Sequence, residues 1–207
     1  MIRLPPFVLT DTHMVKNDRK IAFEIQIQRI ILFGIVWGLL ELFLNPLLKD
    51  CSRALAGISM PFFSVVFILS VKHRIPAGGT VFLAAVIAAM IKYFFAGMVL
   101  SGGFMAILIE AALIEALFLL SGLCLWGYIS AGILVQLYSA FHPYISKGLL
   151  CQSSHFVLFK KFVLDSFHLN LQRAALIAVL LSLHIIAGFL SGCISWRLAA
   201  YFRKVQH

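Results

Sequence analysis

Long apolar runs cut by short polar breaks dominate the chain, and the runs have the length a bilayer demands. A hydrocarbon core takes about 20 residues of apolar helix to cross. Six runs meet or approach that length: residues 30–48, 54–71, 76–100, 104–120, 123–145 and 174–201. Asn45-Pro46 and Lys49-Asp50 close the first, and Lys72-His73-Arg74 stops the second. Pro76-Ala77-Gly78-Gly79 opens the third, and Ser101-Gly102-Gly103 separates it from the fourth. Ser121-Gly122, His142-Pro143 and Arg203-Lys204 end the remaining three. The pattern predicts an all-α fold, an integral membrane bundle of about six transmembrane helices. The second run is short and carries Pro61, which leaves a variant of five spans plus a re-entrant piece open.

Two segments do not read as spans. Residues 1–28 form a polar arm, and within it residues 20–30 mix apolar and charged positions as an interfacial helix does. The rest of the chain, residues 29–207, reads as one transmembrane domain with a long loop at residues 146–173. In that loop Phe156, Phe159, Phe162 and Val163 recur at helical spacing around Lys160 and Lys161. This is either a helix lying on the membrane surface or a lid over an external pocket.

Composition agrees with lipid as the solvent. Of 207 residues, 62% are hydrophobic and 12% charged, and the mean hydropathy is +1.00. Soluble domains are about 45–50% apolar and about 25% charged. The net charge of +9 in a soluble protein suggests nucleic acid, but here most basic residues flank the apolar runs as bilayer anchors, Lys72 and Arg74 among them. No nucleic-acid partner is expected; membrane lipid is. Counting basic residues on alternate sides gives ten with the termini against six on the other face. The positive-inside rule then puts both termini in the cytoplasm and the chain in the cell's inner (plasma) membrane. Cys51, Cys124, Cys151 and Cys193 show no paired spacing, and Cys124 and Cys193 lie in apolar runs, where thiols pack as small hydrophobes.

Ions held at membrane depth cost about 2.5–3.5 kcal/mol each on insertion scales and mark functional positions. Glu41, Glu110, Glu115, Lys92 and His184 fall inside the runs, with Asn45 and Gln136 as uncharged polar neighbours. Lys92 lies nine residues before Ser101 and Glu110 nine after it, so in an antiparallel hairpin the two share a depth. One reading pairs Lys92 with Glu110 to lock the hairpin, leaving Glu41 to snorkel outward. The other gathers Glu41, Lys92, Glu110 and His184 into a substrate-binding pocket open to the outside. Glu115, one turn beyond Glu110, faces a neighbouring helix or another subunit. No Ser/His or Cys/His arrangement sits in a convincing catalytic setting, and no His-Glu-x-x-His and no phosphate-binding Gly-x-x-x-x-Gly-Lys occurs, so no catalytic residue, cofactor, metal site or ATPase activity is expected. An intramembrane enzyme using Glu110, Glu115 and His184 is the weakest alternative.

Small residues mark close helix contacts in lipid. Gly34 and Gly38 stand one turn apart in the first run, Ala84, Ala85, Ala88 and Ala89 in the third, and Ala187, Gly188, Ser191 and Gly192 in the sixth. Such stripes pack within the chain or dock a partner. Together with the six runs, the Trp37-Gly38-x-x-Glu41 stretch and the Gly102-Gly103 turn into a Glu-bearing helix, the small-x-x-x-small pair resembles the substrate-binding S components of energy-coupling-factor transporters. The resemblance covers roughly residues 28–203. It implies capture of a vitamin or metal ion in an externally open pocket, with separate coupling and ATPase subunits driving uptake. It further implies that Gly34 and Gly38, standing where the family usually has Ala-x-x-x-Ala, dock the coupling subunit. The rival expectation is a non-transporting scaffold of envelope or cell-shape assembly.

Overall fold

The computed structural model describes residues 12–95, 102–147, 154–167 and 172–205. Every regular element among them is helical: α1 (Thr12–Cys51), α2 (Arg53–Arg74), α3 (Thr80–Phe95), α4 (Gly102–Ser121), α5 (Leu125–Lys147), α6 (Ser154–Phe167) and α7 (Arg173–Val205). The protein is a multi-pass, all-α membrane bundle. Four of its helices are long and apolar enough to cross a bilayer, within α1, α2, α4 and α7, and α3 is apolar but shorter. α5 has the length, yet carries Tyr128, Gln136, Tyr138, Ser139 and His142. Tyr128 and Gln136 are fully buried, so its polarity is turned into the bundle.

Neighbouring helices close a ring in the order α1, α3, α4, α5, α7, α2, with α2 also reaching across to α5. The ring has two unlike ends. One, the α6 end, gathers the C-terminal ends of α1, α3 and α5 with the N-terminal ends of α2, α4 and α7. The other, the Lys72 end, is filled by an apolar plug that includes Ile68, Leu69, Val81, Ala85, Ile114, Phe118, Tyr128 and Ala131. Large apolar side chains such as Leu32, Phe43, Leu83, Ile186 and Phe189 point outward along the helices, as they must when lipid rather than water surrounds the bundle.

Several boundaries differ from the sequence reading. α1 does not start at residue 30 after a separate arm; one helix of 40 residues runs from Thr12 through Pro46 to Cys51. At 1.5 Å per residue it is about 60 Å long, twice the hydrocarbon thickness, so the interfacial segment is the same rod as the first span. Proline does not close this helix, because the only bond it forfeits is one to the preceding turn. α2 likewise passes through Pro61 unbroken, which removes the re-entrant variant. Residues 1–11 lie outside the described residues.

Among the described side chains of α1 the buried ones form one stripe, Ile30, Gly34, Trp37, Gly38 and Glu41. α3 answers with Ala84, Ile87, Ala88 and Ile91. A Cβ on Gly34 would come within 2.7 Å of Ile87 Cβ, and one on Gly38 within 3.0 Å of Ile91 Cβ. The α5–α7 contact follows the same rule: a Cβ on Gly188 would meet Ile133 Cα at 2.6 Å, and one on Gly192 would meet the Tyr128 carbonyl oxygen at 2.6 Å.

The long loop holds α6. Phe159 and Val163 are buried against Leu176, backed by Phe162, Ile177 and Leu180, while Lys160 and Lys161 stay exposed. The apolar stripe is therefore folded onto the bundle. Cys124 is also placed differently from its expected apolar packing. It is exposed in the turn before α5, where its Sγ accepts from the Gly127 N–H at 3.4 Å. Cys151 lies outside the described residues.

Candidate ligand-binding site

Glu41, Asn45 and Lys49 stand four residues apart and so share one face of α1. Glu41 is buried and both its oxygens are engaged. Lys92 Nζ donates to Oε2 at 2.9 Å, and Ser64 Oγ donates to Oε1 at 3.0 Å. The rotation of α3 thus turns Lys92 toward α1 and Glu41, not into an ion pair with Glu110. Glu41 does not snorkel outward; it is held from two sides.

Glu110 is left over. Gly103, Ala106, Ile107 and Glu110 line one face of α4, and the Glu110 side chain is about as buried as that of Glu41, at 6% exposed. Its charged neighbours are Glu41 and Lys92. Among the described residues no hydrogen bond reaches its carboxyl group. A buried carboxyl without a partner is costly, and it calls for an explanation such as a bound water, ion or ligand.

His184 comes from α7 and meets Gln136 of α5, with Nδ1 and Oε1 2.9 Å apart. Gln136 Nε2 donates to the Ile58 carbonyl at 3.2 Å. That second bond fixes which end of the amide is nitrogen, so Oε1 is an acceptor and Nδ1 of a neutral His184 carries the proton. Nε2 is then an acceptor. One turn along α2, Pro61 has no N–H to give the Gly57 carbonyl.

These groups border one cavity of about 280 Å³ at the α6 end. Glu41, Lys92, Glu110 and His184 all line it, joined by Asn45, His142, Gly57, Pro61 and the rim residue Lys49. Met60, Ile107, Leu180 and Phe159 supply apolar wall. All seven helices contribute, and Phe159 brings α6 over the opening. The four residues singled out in the sequence therefore meet in space, although not in the pairs first drawn.

A second buried ion pair occupies the Lys72 end. Lys72 Nζ donates to Glu115 Oε2 at 2.7 Å and to the Ala77 carbonyl at 2.9 Å. Glu115 Oε1 accepts from the Val81 N–H at 2.7 Å. The carboxylate thus sits at the N-terminus of α3, where helix charge favours an anion. Lys72 is 3% exposed and is no bilayer anchor; Arg74 stays exposed and covers the Phe202 ring at 4.0 Å. Glu115 faces a helix of its own chain. It does not line the cavity that Glu110 and His184 share.

The Gly34 and Gly38 face, expected to dock a partner, is occupied by α3. Among the described residues no three His, Cys, Asp or Glu side chains converge as metal ligands. No family model matches the chain, and no curated protein or solved structure matches it.

Proposed function

We propose that the protein captures a small solute at the α6 end, as the binding subunit of an energy-coupled importer. The observation that carries this is Glu110, buried with no hydrogen-bonding partner among the described residues, on the wall of a cavity that also holds the Glu41–Lys92 pair. A scaffold needs no void there, and buried ions that serve packing alone are satisfied, as Lys72 and Glu115 are. In this reading the α6 end faces outside and both termini are cytoplasmic. Coupling and ATPase subunits are separate chains, and the coupling subunit docks elsewhere than on Gly34 and Gly38. The resemblance to the S components offers a vitamin or a metal ion as cargo; the lack of converging ligands favours an organic solute.

The test is uptake into proteoliposomes or cells carrying the chain alone, or the chain with coupling and ATPase subunits. Uptake is expected only with all components, and Glu110→Gln is expected to reduce it at least tenfold, the scale of a charged hydrogen bond worth about 1.5–3 kcal/mol. No uptake in any combination would count against import. One observation favours the non-transporting scaffold: the small-residue face of α1 is used up internally. Under that reading, Glu110→Gln combined with Lys92→Met leaves the cellular phenotype unchanged.

A further inference from the structure

We infer that the cavity selects a small organic solute bearing a protonated amine, with the ammonium seated on the Glu110 carboxylate. The inference rests on the capture reading above and names the class of cargo.

Charge and hydrogen-bonding valence both point this way. Glu41 and Lys92 neutralise one another at 2.9 Å, and Ser64 takes the second Glu41 oxygen. Glu110 is then the acid of the buried floor left without a counter-ion of its own among the described residues, and a bound ammonium would supply one. Lys49 also borders the cavity, but it is exposed at the rim, where solvent screens it. Glu110 is the lining acid with no hydrogen-bonding partner among the described residues, and it stands beside Asn45, Ser139 and His142, which can both donate and accept. An ammonium has three donors and no acceptor, so it can donate to the Glu110 carboxyl group and still satisfy other oxygens of the lining. A carboxylate or phosphate would meet Glu110 as a like charge.

Size and wall chemistry narrow the class. The volume of about 280 Å³ falls just under the ~300–1,000 Å³ of drug-sized pockets. Met60, Phe159 and Leu180 offer apolar wall from other helices, and Ile107 flanks Glu110 on α4. The fitting solute has one cationic end and one apolar or aromatic end.

The experiment compares three probes of similar shape on the purified full chain in detergent: phenethylamine, 2-phenylethanol and 3-phenylpropionate, each titrated by calorimetry. The amine is expected to bind at least tenfold more tightly than the alcohol, and the carboxylate more weakly than both. Glu110→Gln should abolish the preference for the amine, and Glu110→Asp should keep part of it. Phe159→Ala should weaken amine and alcohol alike, which separates charge selection from apolar contact. Equal affinities, a tighter carboxylate, no binding of the amine, or a preference that survives Glu110→Gln would each overturn the inference. The wild-type comparison decides even if a variant fails to fold. Amine binding without coupled uptake would sink the importer reading and leave this inference standing. Glu110-dependent uptake of a solute lacking a cationic group would do the reverse.

Discussion

At the scale of single residues, the two buried acids of α4 show how similar groups are put to unlike use. Glu115 is saturated by Lys72 and by the Val81 N–H. Removing one partner of such a pair costs about 3–5 kcal/mol, because the other charge is stranded. Glu115→Gln keeps an acceptor for Val81 but leaves Lys72 unpaired, and is expected to destabilise the fold by that amount. Lys72→Met combined with Glu115→Gln should recover most of the loss, as read by thermal unfolding in detergent. Glu110, lacking such a partner, is expected to tolerate replacement by Gln with no loss of thermal stability. The depth of Lys92 and Glu110 was legible from their equal distance to the Ser101 turn. Their partners were not, since a run of apolar residues on all sides does not say which way a helix is rotated. Lys72 was misread for a related reason. A lysine at the end of an apolar run snorkels outward or curls beneath the following turn, and only the fold of Pro76-Ala77 decides between the two.

At the scale of helices, close approach is set by where side chains are missing. The α5–α7 contact brings Gly188 against backbone atoms of Gly132 and Ile133 at 2.6–2.8 Å from where a Cβ would stand. Backbone does not yield as a flexible side chain does, so even Gly188→Ala must push the helices apart, at about 1–3 kcal/mol. Gly78 has nothing within 4 Å of such a Cβ, and Gly78→Ala is the control expected to change little. Paired thermal melts of the two variants test this. The order of the apolar helices was readable because bilayer thickness sets the length of each run, although α6 showed only as a helically spaced stripe in a loop, and small residues flagged α1, α3 and α7 as close-packing elements. Whether the Gly34-Gly38 stripe meets its own chain or another was not readable, since the packing chemistry is the same in both cases. Only Ala84, Ala88 and the side chains beside them, once placed, show the groove already filled.

At the scale of the whole molecule, native cysteines report the orientation that the charge pattern implies. Cys51 and Cys124 are both exposed, one at the α6 end and the other at the Lys72 end. With Cys151 and Cys193 replaced by Ser, a membrane-impermeant maleimide added to intact cells is expected to label Cys51. Cys124 should label only after permeabilisation. The opposite pattern would invert the bundle and place the cavity mouth in the cytoplasm.

The apolar plug beneath the cavity carries a last implication. With side chains such as Leu69, Ala85, Ile114 and Ala131 fully enclosed below the charged floor, the pocket is a cul-de-sac. With the described plug residues enclosed, no continuous file of water is expected through the bundle, and no ion current should be recorded across a planar bilayer holding the pure chain. Whatever enters leaves by the same door, unless the entire body shifts against the lipid around it.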